Sequence, residues 1–332
     1  MQTHHMSIAA AEDWVTQVLV AHRTTPANAA SVARALVLAE ADGQKGHGLS
    51  RLTAYAAQAR SGKVDGAAVP VATRTAPAVV TIDACHGFAY PALELAIDRL
   101  TPVARQQGIA LAGITRSHHC GVLAHVMERL AAEGLVAFMV ANTPAAMAPW
   151  GGRRALFGTN PIGCAFPRPG HDPVVIDLAL SKVARGHVVH AQQRGTQIPP
   201  DWALDADGQP TTDPAAALAG TMVPLGEAKG AALALMVEAL AAGLTGSRYA
   251  YEASSFLDAA GEPPGTGQVL IAIDPQMLGG AAVLDHLATL FATVADETGG
   301  RLPGSRRYAH RRDAEANGIE VPAAIWDAVQ PD

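Results

Sequence analysis

Between positions 41 and 51 the sequence reads ADGQKGHGLSR, and its only ionisable ring, His47, stands between Gly46 and Gly48. A histidine near its ordinary pKa can take or give a proton close to pH 7, so it serves either direction of a reaction. Arg51 follows four residues later. If a helix begins near Gly48, that spacing turns both side chains toward the same space. A guanidinium beside a proton donor or acceptor suits a carboxylate substrate, which arginine grips bidentately. The plain alternative is a surface histidine and a solvated arginine, and the flanking glycines, which open room for a ligand, weigh against it.

Three other segments could carry chemistry. Ser117-His118-His119 falls where a strand gives way to a helix, a junction whose backbone N–H groups and helix dipole favour phosphate. A serine cap with two exposed histidines would read the same way. His118, His119 and His125 are metal-binding residue types, but no carboxylate stands at ligand spacing and no metal is expected. The stretch PWGGRRALFGTNPIGCAFPRPG, 149–170, gathers glycine, proline and a Thr-Asn pair, as an irregular pocket-lining backbone would, although simple turns would explain it too. SRRYAHRR, 305–312, suits nucleotide phosphates or is a solvated charged run.

The elements that must position these residues read as α/β. Apolar spacing from Ile8 to Val20 predicts a helix, and Thr25-Pro26 opens a second one that runs to about Ala41. A third helix follows the glycine loop until Ser61-Gly62. Beyond a turn-rich stretch, 61–76, strands are predicted around Val79–Asp83, Ile109–Thr115, 134–142, 162–167, 173–178 and 268–275. Helices are predicted around Tyr90–Gln106, Val122–Glu133 and 228–243. Residues 193–227 read as a surface loop, and helices return from about Ala282, interrupted by LPGSRRYAHRR. The expected division is an N-terminal helical segment, 1–75, packed with C-terminal helices 282–332, and an α/β cofactor- and substrate-binding region, 76–281.

Composition narrows the classes of function. A chain of 332 residues with a formal charge of -6 and no Lys/Arg run offers no footprint for nucleic acid or an anionic membrane surface. Its longest apolar run, 229–244, carries charge and falls short of the roughly 20 residues of a membrane span, and Met1–Ala10 lacks a signal-peptide plan. A small-molecule substrate and a cytoplasmic location are expected. Cys85, Cys120 and Cys164 lie far apart and read as reduced, buried thiols. There is no Gly-x-Gly-x-x-Gly between strand and helix, no Walker A loop, no Gly-x-Ser-x-Gly and no His-Glu-x-x-His, so the usual phosphate, hydrolase and zincin signals are missing.

Eight segments together resemble the type-2 malate/L-lactate dehydrogenase family of NAD(P)-dependent oxidoreductases, which do not use a Rossmann fold. They are DGQKGHGLSR (42–51), SGKVDG (61–66), ITRSHHCGVLAHV (114–126), FGTNPIGCAFP (157–167), DLALSKVARG (177–186), DADGQPTTDP (205–214), PLGEAKGAALALMVEAL (224–240) and LPGSRRY (302–308). Within that family the sequence is most similar to the Δ1-piperideine-2-carboxylate/Δ1-pyrroline-2-carboxylate reductases.

The resemblance implies a mixed α/β fold, a homodimer, and NADPH, with NADH as the alternative cofactor. It implies His47 as proton donor, Arg51 as carboxylate ligand, and Thr159, Arg185 and Gly186 as substrate contacts. Cofactor contacts would be His119, Cys120, Gly121, Val122, Leu123, Asp177, Leu178, Ala179, Lys229 and the run Gly304, Ser305, Arg306, Arg307, Tyr308, Ala309, His310, whose arginines suit a 2′-phosphate. The imine reductases complete a relay with a serine before the catalytic histidine and a later aspartate. Gly46 and His187 occupy those places here, which assigns His187 or solvent to orient and recharge His47. Ala184-Arg185-Gly186 resembles the branches that act on 2-hydroxy acids. The implied activity is NADPH-dependent reduction of a cyclic 2-imino acid, with dehydrogenation of a 2-hydroxy acid such as malate or L-lactate as the alternative and a non-catalytic NADPH-binding relative as the minor one.

Overall fold

The computed structural model describes residues 3–329. Its centre is a seven-stranded mixed sheet in the order β2-β3-β4-β10-β5-β6-β7. These strands span Val71–Ala76 (β2), Val79–Asp83 (β3), Ile109–Ser117 (β4), Val136–Ala141 (β5), Ile162–Phe166 (β6), Val174–Leu178 (β7) and Thr266–Ile273 (β10). Only β3 and β4 run parallel; every other neighbouring pair is antiparallel. The late strand β10 is threaded between β4 and β5 and is buried except at half-buried Ile271 and Ile273, which explains its apolar run.

Strand alternation gives the sheet two apolar faces. Ala110, Ala112 and Ile114 of β4 and Met139 of β5 face α4 (Ala89–Gln107) and α5 (Leu123–Ala132), while Val140 and Val269 face α8 (Ala228–Glu238). A third cluster joins α1 (Ile8–Ala21), α2 (Pro26–Ala41) and α3 (Leu52–Ser61) with Ala314, Ile319, Val321 and Val329 near the end of the chain. There β1 (Thr3–Met6) pairs antiparallel with β11 (Ile319–Pro322), followed by α12 (Ala323–Ala328). The remaining elements are α6 (Arg185–Arg194), α7 (Pro214–Ala219), the two-residue pair β8 (Ala203–Leu204) and β9 (Thr221–Met222), α9 (Pro275–Gly279), α10 (Val283–Asp296) and α11 (Ser305–Asn317).

Four differences from the sequence reading have physical causes. The turn-rich stretch 61–76 contains β2, an edge strand exposed on both faces and therefore without apolar alternation. β1 escapes notice for the same reason. The segment opening at Arg185 is helical, yet polar nearly all round, and the loop 193–227 holds α7. SRRYAHRR does not interrupt the helices: it forms the first turns of α11. Among the described residues no helix is long and apolar enough to cross a membrane.

Candidate active site

The glycine loop is fastened at both ends. At the close of α2, Gly43 N donates to Glu40 O and Gln44 N to Ala39 O, and the buried Glu40 carboxylate accepts from Leu49 N at 3.0 Å. Burial pushes the Glu40 carboxyl up, against the Leu49 N–H that favours its charged form. Gly48 passes so close to this carboxylate that any side chain there would clash with it, whereas Gly46 faces open space. A 3₁₀ turn, Leu49–Arg51, precedes α3, and Arg51 Nε donates back to Gly46 O at 2.6 Å.

His47, half-buried, heads a chain of hydrogen bonds. Its Nδ1 lies 3.2 Å from His119 Nε2; His119 Nδ1 lies 2.5 Å from the Tyr55 hydroxyl, which lies 3.3 Å from the Tyr90 hydroxyl. The two imidazoles lie 5.2 Å apart between centroids and 18° from parallel, and Phe256 closes over His119 at 5.1 Å. Burial pushes the His47 pKa down to about 4, with the Arg51 and His125 charges adding repulsion. Burial likewise holds His119 well below the usual range. Both rings are neutral at pH 7, which corrects the expectation of a histidine titrating near neutrality.

The three candidate metal ligands do not converge, because His118 Nε2 pairs with Gln58 Oε1 at 2.8 Å and His125 Nε2 with Asp42 Oδ2 at 2.9 Å. No group of three or more possible ligands occurs among the described residues. Burial raises the Cys120 thiol to about 12, so it is not a nucleophile at neutral pH.

Thr159 sits in the long connection between β5 and β6, where its N–H donates to Thr143 Oγ1 at 3.0 Å. Beside it, buried Asn160 adopts a left-handed backbone (φ 38°) and donates to Glu238 Oε2 at 2.7 Å; Asn142 donates to Glu238 Oε1 at 3.1 Å. The Thr-Asn pair signalled this backbone, while Glu238 read as one charge in an apolar helix.

Two assignments need correction. His187 is exposed on α6, with its ring 6.0 Å from that of Trp202, and shares no hydrogen bond or ring contact with His47 or His119 among the described residues. The group hydrogen-bonded to His47 Nδ1 is instead His119, itself hydrogen-bonded to Tyr55. Tyr55 escaped the sequence reading because a tyrosine on an amphipathic helix is indistinguishable from core. Nearby on α6, Gly186 is exposed, and Arg185 is half-buried and, among the described residues, makes a single side-chain hydrogen bond, to Leu218 O at 3.4 Å.

The second correction concerns phosphate. Ala124 N, in the first turn of α5 beyond His119, Cys120, Gly121, Val122 and Leu123, donates to Asp177 Oδ2 at 3.0 Å, so a carboxylate already caps that helix. Leu178 and Ala179 continue from Asp177 at the end of β7 and beyond it. Gly304 (φ 87°) precedes α11, on which Arg307 is buried against Glu128, with its Nε 3.2 Å from Asp42 Oδ2. Tyr308 lies beneath Arg307 and Arg311 at 5.1 and 5.3 Å, and the exposed His310 ring packs on Gly43. Arg307 is therefore committed to carboxylates. Arg306, between Ser305 and Ala309 on α11, and Lys229, near the start of α8, are exposed and make no ion pair among the described residues.

A family profile described as malate/L-lactate dehydrogenase matches residues 6–330. The chain is 52% identical, over 90% of its length and 89% of the relative's, to a (2R)-3-sulfolactate dehydrogenase (NADP(+)) of Chromohalobacter salexigens. It is 40% identical, over 96% and 93%, to a Δ1-pyrroline-2-carboxylate/Δ1-piperideine-2-carboxylate reductase of Pseudomonas syringae pv. tomato. The crystal structure of a Δ1-piperideine-2-carboxylate reductase from that organism superposes with a TM-score of 0.91 at 40% identity, covering 99% of both chains.

Proposed function

The chain belongs to the malate/L-lactate dehydrogenase family of oxidoreductases, and on that premise we propose that it is an NADP(H)-dependent dehydrogenase of an anionic 2-hydroxy acid, with (2R)-3-sulfolactate as the leading substrate. The 52% relative supports this substrate. The observation that carries the reading is His47 itself: neutral, with Nδ1 engaged by His119 and Nε2 free of any protein hydrogen bond among the described residues. A neutral imidazole is a base ready to take the 2-hydroxyl proton. Arg51 and Arg185 have no carboxylate partner among the described residues, which suits a substrate bearing a carboxylate and a second anionic group. Thr159, held by Thr143, would add a hydroxyl contact to the substrate in the family's pattern.

The nicotinamide, when bound, supplies the hydride acceptor. Arg51 holds the carboxylate, His47 Nε2 takes the hydroxyl proton as C2 becomes a carbonyl, and the same imidazolium returns the proton in the reverse reaction. Arg306 and Lys229 would meet the cofactor's phosphates, and Arg306, rather than an Arg306-Arg307 pair, is the proposed 2′-phosphate contact. We also propose a cytoplasmic homodimer: Leu233, Leu235 and Met236 of α8 and Leu244 beyond it form an exposed apolar strip that a second copy would cover.

A second reading, reduction of Δ1-pyrroline- or Δ1-piperideine-2-carboxylate, draws on the 40% relatives and the TM-score of 0.91. The purified protein should be assayed with NADP+ on (2R)-3-sulfolactate, malate and L-lactate, and with NADPH on both imines. At least a tenfold higher kcat/KM on sulfolactate is expected, well within what a single unpaired charge discriminates (~10-fold or more). A preference for either imine would transfer the assignment to the second reading, and no turnover on any of them would point to a non-catalytic relative. Comparing NADPH with NADH on the Arg306→Ala variant tests the cofactor contact.

A further inference from the structure

Resting on His47 as the acid–base group, we infer that His119 and Tyr55 are its positioning residues, which lock the imidazole into the tautomer protonated at Nδ1. The hydrogen-bond chain allows one proton per neutral ring or hydroxyl. Read outward from the site, His47 Nδ1–H donates to His119 Nε2, His119 Nδ1–H donates to the Tyr55 oxygen, and Tyr55 O–H donates to the Tyr90 oxygen. Every group is neutral and satisfied in that order, as the burial of His119, Tyr55 and Tyr90 and the half-burial of His47 demand.

The opposite polarity, from Tyr90 back to His47, would place the His47 proton on Nε2. That ring could then donate to an oxo group only by becoming an imidazolate, and it could not accept a hydroxyl proton at all. With Nδ1 protonated, the cycle balances: Nε2 takes the proton from the 2-hydroxyl while the C2–H electron pair leaves as hydride to the nicotinamide, and the resulting imidazolium releases that proton to water after the product departs. His119 stays neutral throughout as the acceptor for Nδ1–H. Tyr55 determines which nitrogen of His119 is free to accept, so removing one hydroxyl group two bonds down the chain changes the tautomer at the site. Phe256, on the rings of both His118 and His119, keeps water from competing for these nitrogens.

The test is selective ¹⁵N labelling of histidine in the full chain, with ring-nitrogen NMR at pH 7 assigned by His47→Gln and His119→Gln. His47 and His119 are expected as Nδ1–H tautomers, the less common form of free histidine, and Tyr55→Phe is expected to shift both toward Nε2–H. In turnover with the preferred substrate, Tyr55→Phe should lower kcat about 10- to 100-fold, the range of a misdirected general base, with the KM for NADP+ changed less than about threefold. His119→Gln, whose amide oxygen can still accept from Nδ1–H, should retain about tenfold more activity than His119→Leu. A resting Nε2–H tautomer at His47, or a Tyr55→Phe enzyme with unchanged tautomers and kcat, overturns the inference. The NMR result needs no substrate, and retention of activity by His47→Ala would instead overturn the assignment of His47 on which the inference rests.

Discussion

Two buried polar clusters lie on either side of the loop 42–51, and they resolve burial in opposite ways. On the His47 side, burial strips protons: His47, His118 and His119 are all held neutral, the first near 4 and the second near 3. On the Asp42 side, charge is kept. Asp42 accepts two hydrogen bonds from Arg311 at 2.7 Å and one from His125 at 2.9 Å, and Glu128 takes Arg307 and Arg311. Burial opposes ionisation of Asp42, but Arg311 and His125 outweigh it and hold the carboxyl below its ordinary range. The difference lies in partners. A buried ring next to another neutral ring loses its charge, whereas a buried carboxylate met by guanidinium forks keeps it. The first arrangement leaves a base with no competing counter-ion, and the second fixes the loop that carries it to α5 and α11.

If the ionic cluster is the anchor, Asp42→Ala should produce the largest effect, a loss of about 3–5 kcal/mol in urea unfolding, because buried Arg307 and half-buried Arg311 would be left without that carboxylate. Less than about 1 kcal/mol would mean that Glu128 alone suffices. On the neutral side, His47→Ala should lower kcat at least ~100-fold while leaving the unfolding midpoint close to that of the parent. Comparable losses of activity and stability would dissolve the distinction between the two clusters.

Acid should separate them next. His47, His118 and His119 have folded-state pKa values below the unfolded value, so the unfolded chain binds more protons between them and stability declines as pH falls from about 6.5 toward 4. Asp42 is also depressed, and its contribution is complete above the ordinary carboxyl range and lost only below it, as pH falls through its folded-state pKa. Unfolding midpoints from pH 7 to 4 should therefore fall in the parent and fall in parallel in Asp42→Asn. The glycines give the smallest pair of effects. Gly48→Ala meets the Glu40 carboxylate and should cost ~1–3 kcal/mol, while Gly46→Ala, facing open space, should stay within about 0.5 kcal/mol by the same unfolding measurement.

The sequence carried the α/β alternation and the buried β10 plainly, because both rest on apolar period and length, while the non-Rossmann character rested on the family resemblance. It also singled out His47, since an ionisable ring between two glycines has few structural uses. Elements without a buried face, β1, β2 and the polar α6, left no period to read. Partnership was the other gap. Arg306 and Arg307 are adjacent and alike in the sequence, yet one is exposed and the other is buried against Glu128, and nothing local distinguishes them. Tyr55 is silent for a related reason, since its role is set by His119, 64 residues away.

The central claim is that His47 works as a neutral, half-buried base. Its most direct test is the pH dependence of kcat/KM for oxidation of the preferred 2-hydroxy acid, which reports the free enzyme's ionisations. The profile should stay level through neutrality on its acid side and decline only as pH approaches about 4, where His47 gains its proton. An acid limb with its inflection at the ordinary histidine value, near 6.5, or one retained unchanged in His47→Ala, would contradict it.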